Sequence, residues 1–177
     1  WSSQPYVLDV GSSLGQDSLF YLALGYRVVA VDADLRSIQA MNISFAHYLR
    51  IGALQLLHAA IADSHGHQGE SDRVDFCAID PELANRSKAE SHMLPWRSHC
   101  AGELLRVPTT TCQDLLRSFG TPFFMKVDIE LAELPCLKSL TAEIPEFLSL
   151  EVGALHETRL NELLHLLQTR GYSRFKL

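Results

Sequence analysis

The sequence predicts an α/β fold, a mostly parallel sheet with helices on both faces, and three observations predict it. Short apolar runs alternate with segments of helical period along most of the 177 residues, the sequence form of successive strand-helix-strand units. The first run leads into a turn that carries Gly11 and Gly15, and a helical segment follows. The second run ends in an acid, Asp32, 21 residues after Gly11. Glycines let a backbone turn sharply and approach a ligand, a helix start offers unpaired N–H groups, and a carboxylate at the tip of the next strand can accept both ribose hydroxyls. The opening of the chain therefore predicts a nucleoside-cofactor site.

In chain order, residues 6–10 form the first strand, 15–24 the first helix and 28–32 the second strand, with Gly25 where a helix-ending glycine belongs. Residues 35–49 predict one helix, because Ile38, Met41, Phe45 and Leu49 recur at helical spacing. Residues 54–61 read as the third strand and 73–79 as a short extra one. Across 81–102 the periodicity fails, and a long connection of that kind in a compact domain is expected to gate or bind something, here as a mobile lid or acceptor-binding segment. Thr111, with Asp114 three residues on, is a helix-start signal, and Leu115 and Phe119 supply the buried face. Residues 123–127 form a strand ending in Asp128, 131–140 a helix that tolerates Pro135 in its first turn, 147–152 a strand and 158–169 the last helix. A final strand after Gly171 is incomplete at Leu177, so the closing C-terminal hairpin is expected to be truncated. A single domain over residues 1–177 suits this length, and a chain that opens on Trp1 reads as a fragment of a longer protein.

Hydrophobic residues make up 47% and charged residues 20%, which excludes a disordered chain and a coiled coil. No apolar run approaches the roughly 20 residues of a membrane helix. The net charge of −6, with Lys and Arg scattered singly, argues against nucleic acid as a partner, since duplex binding rests on clustered phosphate contacts. Cys77, Cys100, Cys112 and Cys136 include no C-x-x-C pair, and with no secretory segment in view they read as reduced thiols, which favours a cytoplasmic setting.

Details of the turn choose among nucleosides. Dinucleotide sites want G-x-G-x-x-G, whose middle glycine admits a pyrophosphate to the helix end. Here the spacing is Gly11-x-x-x-Gly15, with Ser12 and Ser13 between. Asp9, just before the turn, would repel phosphates and attract the ammonium group of S-adenosylmethionine, a cationic ligand without phosphate. Asp9, Gly11, Ser12, Ser13 and Gly15 are therefore the candidate cofactor turn, with Asp32 on the ribose. A nicotinamide-dependent oxidoreductase shares the strand, turn and ribose acid and is the alternative against which the missing glycine and Asp9 count.

Four blocks follow one another along the chain: Asp9-Val-Gly-Ser-Ser-Leu-Gly15; Ala59-Ala-Ile-Ala-Asp63; Val107-Pro-Thr-Thr-Thr-Cys-Gln-Asp-Leu-Leu116 running into Phe124-Met-Lys-Val-Asp-Ile-Glu-Leu-Ala-Glu133; and Leu148-Ser-Leu-Glu-Val152. Together they resemble the FkbM family of S-adenosylmethionine-dependent methyltransferases over nearly the whole chain. The first block is common to many methyltransferases, whereas Lys126-Val-Asp-Ile-Glu130 with Ala132-Glu133 after the Thr-rich segment is the family-specific part. The resemblance implies a Rossmann-like class I methyltransferase fold, S-adenosyl-L-methionine as cofactor, and a hydroxyl acceptor on a small molecule or glycan. It also implies Asp63, beside Ala62, as the partner of the adenine amino group. Two positions depart from the family pattern. Ser13 replaces the usual Asn and keeps a hydrogen-bonding group. Leu131 replaces a Gly, and at positive φ it would be strained by about 1–3 kcal/mol, which opens the alternative of a degenerate, non-catalytic binding domain.

On the acceptor side, Asp128 ends a central strand, where doubly wound sheets open on their ligand crevice. Asp128 and Glu130 are the candidate catalytic residues, able to take a hydroxyl proton or orient the acceptor. The competing reading is structural: Asp128 fixes the turn, and Glu130 or Glu133 sits in a first helical turn that favours acids. Glu151 and His156 form a second-tier pair, Lys126 reads as an ordinary strand residue, and Trp96, Arg97 and His99 are candidate acceptor contacts, with Trp96 better suited to anchoring its loop. His65 and His67 in a Gly-containing loop read as solvated, so no metal is expected. Since the methyl donor is already activated, in-line positioning at about 7–11 kcal/mol should outweigh a general base at roughly 3–5 kcal/mol.

Overall fold

A computed structural model describes residues 5–62, 73–79, 92–93, 100, 102–130, 132–141, 144–151 and 157–176. The elements run β1 (Tyr6–Val10), α1 (Gln16–Ala23), β2 (Arg27–Asp32), α2 (Leu35–Ser44), α3 (Ala46–Arg50), β3 (Leu54–His58), β4 (Ala60–Ile61), β5 (Arg73–Ala78), β6 (His92–Met93), β7 (Glu103–Thr110), α4 (Cys112–Phe119), β8 (Phe124–Val127), α5 (Glu133–Ser139), β9 (Phe147–Leu150) and α6 (Glu157–Thr169).

Five strands form a parallel sheet in the order β3-β2-β1-β8-β9. β1 is buried along its whole length, because helices cover both faces. Leu8, Val10, Val29, Val31, Met125 and Val127 face Leu115, Leu137 and Leu163 of α4, α5 and α6. Val7, Val28 and Ala30 face Leu22, Met41 and Phe45 on the other side. This architecture is compatible with a Rossmann-like fold. Chain order reverses between β1 and β8, and ligands of such sheets bind outside the carboxyl ends of the strands at that reversal.

Local signals explain the ends of several elements. Gly25, at φ +87°, lets its own N–H reach Leu22 O and that of Tyr26 reach Tyr21 O, the paired bonds that close α1. Thr111 Oγ1 accepts from Asp114 N at 3.0 Å and donates to Asp114 Oδ2 at 2.8 Å, starting α4 as predicted.

Other expectations need correction. The predicted 35–49 helix breaks at Phe45 into α2 and α3, and the Phe45 ring packs against Gly15. The 54–61 run splits at Ala59: β3 stays in the parallel sheet, while β4 pairs with β7. β7 was not foreseen; it pairs antiparallel with β5 from Arg73↔Pro108 to Ala78↔Glu103, and β6 adds to the other edge of β5. Residues 172–176 form no strand. Most of 81–102, and with it the expected lid, lies outside the described residues. The four cysteines are not reduced thiols: Cys77 bonds to Cys100 and Cys112 to Cys136. Their partners lie 23 and 24 residues away in sequence, so only the folded chain brings them together. No helix among the described residues is long and apolar enough to cross a membrane.

Candidate functional site

The turn after β1 is built by backbone bonds into β2. Gly11 N and Ser12 N both donate to Val31 O, at 2.9 and 3.1 Å. Gly11 has φ +83°, and a Cβ there would run into the carbonyl of Asp128. Ser13 has φ +50°, which turns its N–H onto Asp32 Oδ2 at 2.7 Å, while Asp34 N donates to Asp32 Oδ1 at 2.7 Å. Burial pushes the Asp32 carboxyl up to about 6 against the pull of these two donors. Ser12 is buried with its Oγ 3.7 Å from Met41 Sδ, and Gly15 leaves no room for a side chain beside Phe45 and Met41. Gly11, Ser13 and Asp32 thus shape the mouth of the turn, while Ser12 and Gly15 seat it on the core. No side chain caps the first turn of α1.

Asp9 lies beneath this turn and is 0% exposed. Its Oδ2 accepts from Ser18 Oγ at 2.6 Å, and its Oδ1 has no hydrogen-bond partner. Burial raises its carboxyl above the ordinary range, opposed by Ser18 and by the Lys126 ammonium 3.9 Å from Oδ1. Ala62 is buried and donates its N–H to Thr110 O at 2.9 Å, which sets the second block of the sequence against the Thr-rich segment. Asp63 lies outside the described residues, as do His65, His67, Trp96, Arg97, His99, Leu131 and His156.

Across the reversal, Asp128 follows β8 and donates its N–H to Val10 O at 2.9 Å. Lys126 Nζ lies 3.0 Å from Asp128 Oδ2 and 2.8 Å from Asp17 Oδ2. The Glu151 side chain also hydrogen-bonds Asp128. Burial pushes Asp128 up, but Glu151 and Lys126 outweigh it and hold the carboxyl below its ordinary range. Burial alone would lower Lys126, yet Asp17, Asp128 and Asp9 keep its ammonium above the ordinary range. Glu130 carries the left-handed φ of +49° in the turn that follows. Glu133 is buried and accepts from Ile129 N at 3.3 Å, so it braces this turn from the start of α5. One carboxylate oxygen from each of Asp128, Glu130 and Glu151 falls within 4.8 Å of the other two. Such an oxygen set suits a hard cation, and Lys126 already places one positive charge on it.

Lys126 and Ser18 are the residues that sequence reading missed. The signal was present: a charged residue in each of two apolar strands, which parallel pairing sets opposite each other as Asp9↔Lys126. No protein-family model, curated protein or solved structure gives a match to this chain.

Proposed function

We propose that the chain is an S-adenosylmethionine-dependent methyltransferase domain that methylates a hydroxyl oxygen on a small molecule or glycan. The observation that carries the reading is the charge around the turn. Asp9, Asp17 and Asp32 crowd the amino end of α1, and one oxygen of buried Asp9 has no hydrogen-bond donor. That end would repel a pyrophosphate and favours a cationic, phosphate-free nucleoside. Asp9 is too deep to offer surface and acts through its charge. Asp32, once ionised, is placed to accept ribose hydroxyls. The bound cofactor supplies a methyl group on a positively charged sulfur.

The protein's own part is to hold and deprotonate the acceptor. Asp128 stays ionised at neutral pH and is placed to accept the hydroxyl proton at a carboxylate oxygen. Lys126 is unsuited to be the base, because Asp17 and Asp128 retain its proton. Glu151 hydrogen-bonds Asp128 and steadies it, while Glu130 lines the same end of the crevice. Calorimetric titration with S-adenosylhomocysteine and with NAD tests the proposal. Binding of the first and not the second is expected; tight NAD binding with no response to S-adenosylhomocysteine would end it.

A further inference from the structure

We propose that this chain folds and acts in an oxidising compartment, fastened by two disulfides of unequal accessibility: a permanent one inside the core and a reducible one at the second sheet. No cysteine is left over, since Cys77 pairs with Cys100 and Cys112 with Cys136. The Cα–Cα separations, 5.4 and 5.1 Å, lie in the range a disulfide spans without backbone movement. Glutathione keeps cytosolic thiols reduced, whereas exported and lumenal chains keep such bonds. The cytoplasmic setting expected from sequence rested on reduced thiols, and the fold removes that ground.

The two bonds sit in different surroundings. Cys112 and Cys136 are both 0% exposed and belong to the same apolar cluster as Leu8, Val10 and Met125. They join the first residue of α4 to the middle of α5, alongside Gln113 N donating to Ser139 Oγ and Thr141 N donating to Gln113 Oε1. Since α5 opens on Glu133, which holds Ile129 N, this bond anchors the turn that carries Asp128 and Glu130. Cys77 is buried on β5, but its partner Cys100 is partly exposed, so a reductant can reach that bond without unfolding the core.

The protein is made twice, once exported through an oxidising compartment and once in a reducing cytosol. Each preparation is denatured in N-ethylmaleimide without reductant and its mass is measured. The exported protein should take up no label, and native treatment with dithiothreitol should open Cys77 and Cys100 before Cys112 and Cys136. The cytosolic protein should label at its cysteines and melt lower by roughly 10 °C or more. Labelling of all four cysteines in the exported protein, or equal melting temperatures for the two preparations, would overturn the proposal. A Cys77→Ser/Cys100→Ser variant retains the core bond and keeps the test open if the fully reduced chain fails to fold. It should melt below the exported wild type, and an unchanged melting temperature would remove the outer bond from the proposal's support and overturn the two-bond fastening.

Discussion

The carbonyl oxygen of Asp128 fills the space that a side chain on Gly11 would need. The turn after β1 and the turn after β8 are therefore in backbone contact, and Asp128 N bonds to Val10 O beside them. Gly11→Ala should cost about 3–5 kcal/mol, because it combines a left-handed φ with displacement of a main-chain carbonyl. Gly52→Ala is the control. Gly52 has φ +71° with nothing within 4 Å, so it carries the strain alone, at about 1–2 kcal/mol. Urea unfolding of both variants measures the difference, and equal losses would show that the contact with Asp128 is soft.

Lys126 provides the nearest positive charge to a carboxylate that has no exposure to solvent. Lys126→Met should destabilise the fold by about 3 kcal/mol at pH 8 by stranding the Asp9 charge. With that partner gone, the folded-state carboxyl of Asp9 rises further above its unfolded value. Its contribution to stability is then present at low pH and lost as pH rises, so the variant should regain stability towards pH 5. Adding Asp9→Asn should restore much of the loss at pH 8. Additive losses in the double variant, read from urea midpoints, would show that the two residues do not interact.

The parallel sheet was legible because its strands are buried on both faces and read as continuous apolar runs, as in 6–10 and 28–32. The second sheet was not. β7 mixes Glu103, Arg106 and two threonines with its apolar residues and contains Pro108, features that read as loop, and its partner β5 is 25 residues or more away along the chain. The helix break at Phe45 was hidden by an apolar spacing that continues through it, because that spacing marks which side faces the core and not where the backbone bends. At the site, Gly11, Ser13 and Asp32 were legible as a turn and a strand end. Lys126 was not, since its role exists only once β8 lies beside β1.

Cofactor affinity should follow the ionisation of Asp32. Burial raises this carboxyl to about 6, while ribose hydroxyls donate more strongly to its ionised form. S-adenosylhomocysteine affinity should therefore rise as pH increases through about 6, with a proton released on binding at pH 5.5. Stability of the free protein runs the other way: a carboxyl raised in the folded state contributes most below its unfolded value and loses that contribution as pH rises through about 6. Asp32→Ala should weaken binding by about 1.5–3 kcal/mol and flatten its pH dependence. Calorimetry in buffers of different ionisation enthalpy reads both, and a pH-independent wild-type affinity would remove Asp32 from the ribose.

Asp128 and Asp32 end different strands on the two sides of the chain reversal, so their substitutions should separate acceptor chemistry from cofactor binding. Asp128→Asn removes the proposed acceptor of the hydroxyl proton and should lower turnover by about 10²–10⁴-fold. S-adenosylhomocysteine affinity should stay within about threefold of wild type, since that change is well under 1.4 kcal/mol. Glu151→Gln offers a control on the same hydrogen bond: its amide N–H can donate to Asp128, so most of the turnover should survive. Because Glu151 and Lys126 hold Asp128 below the ordinary carboxylate range, its ionisation should leave turnover level across neutral pH. Equal losses of turnover and cofactor binding in Asp128→Asn would instead move Asp128 to the cofactor side, and Glu130 would then be the carboxylate to test as the base.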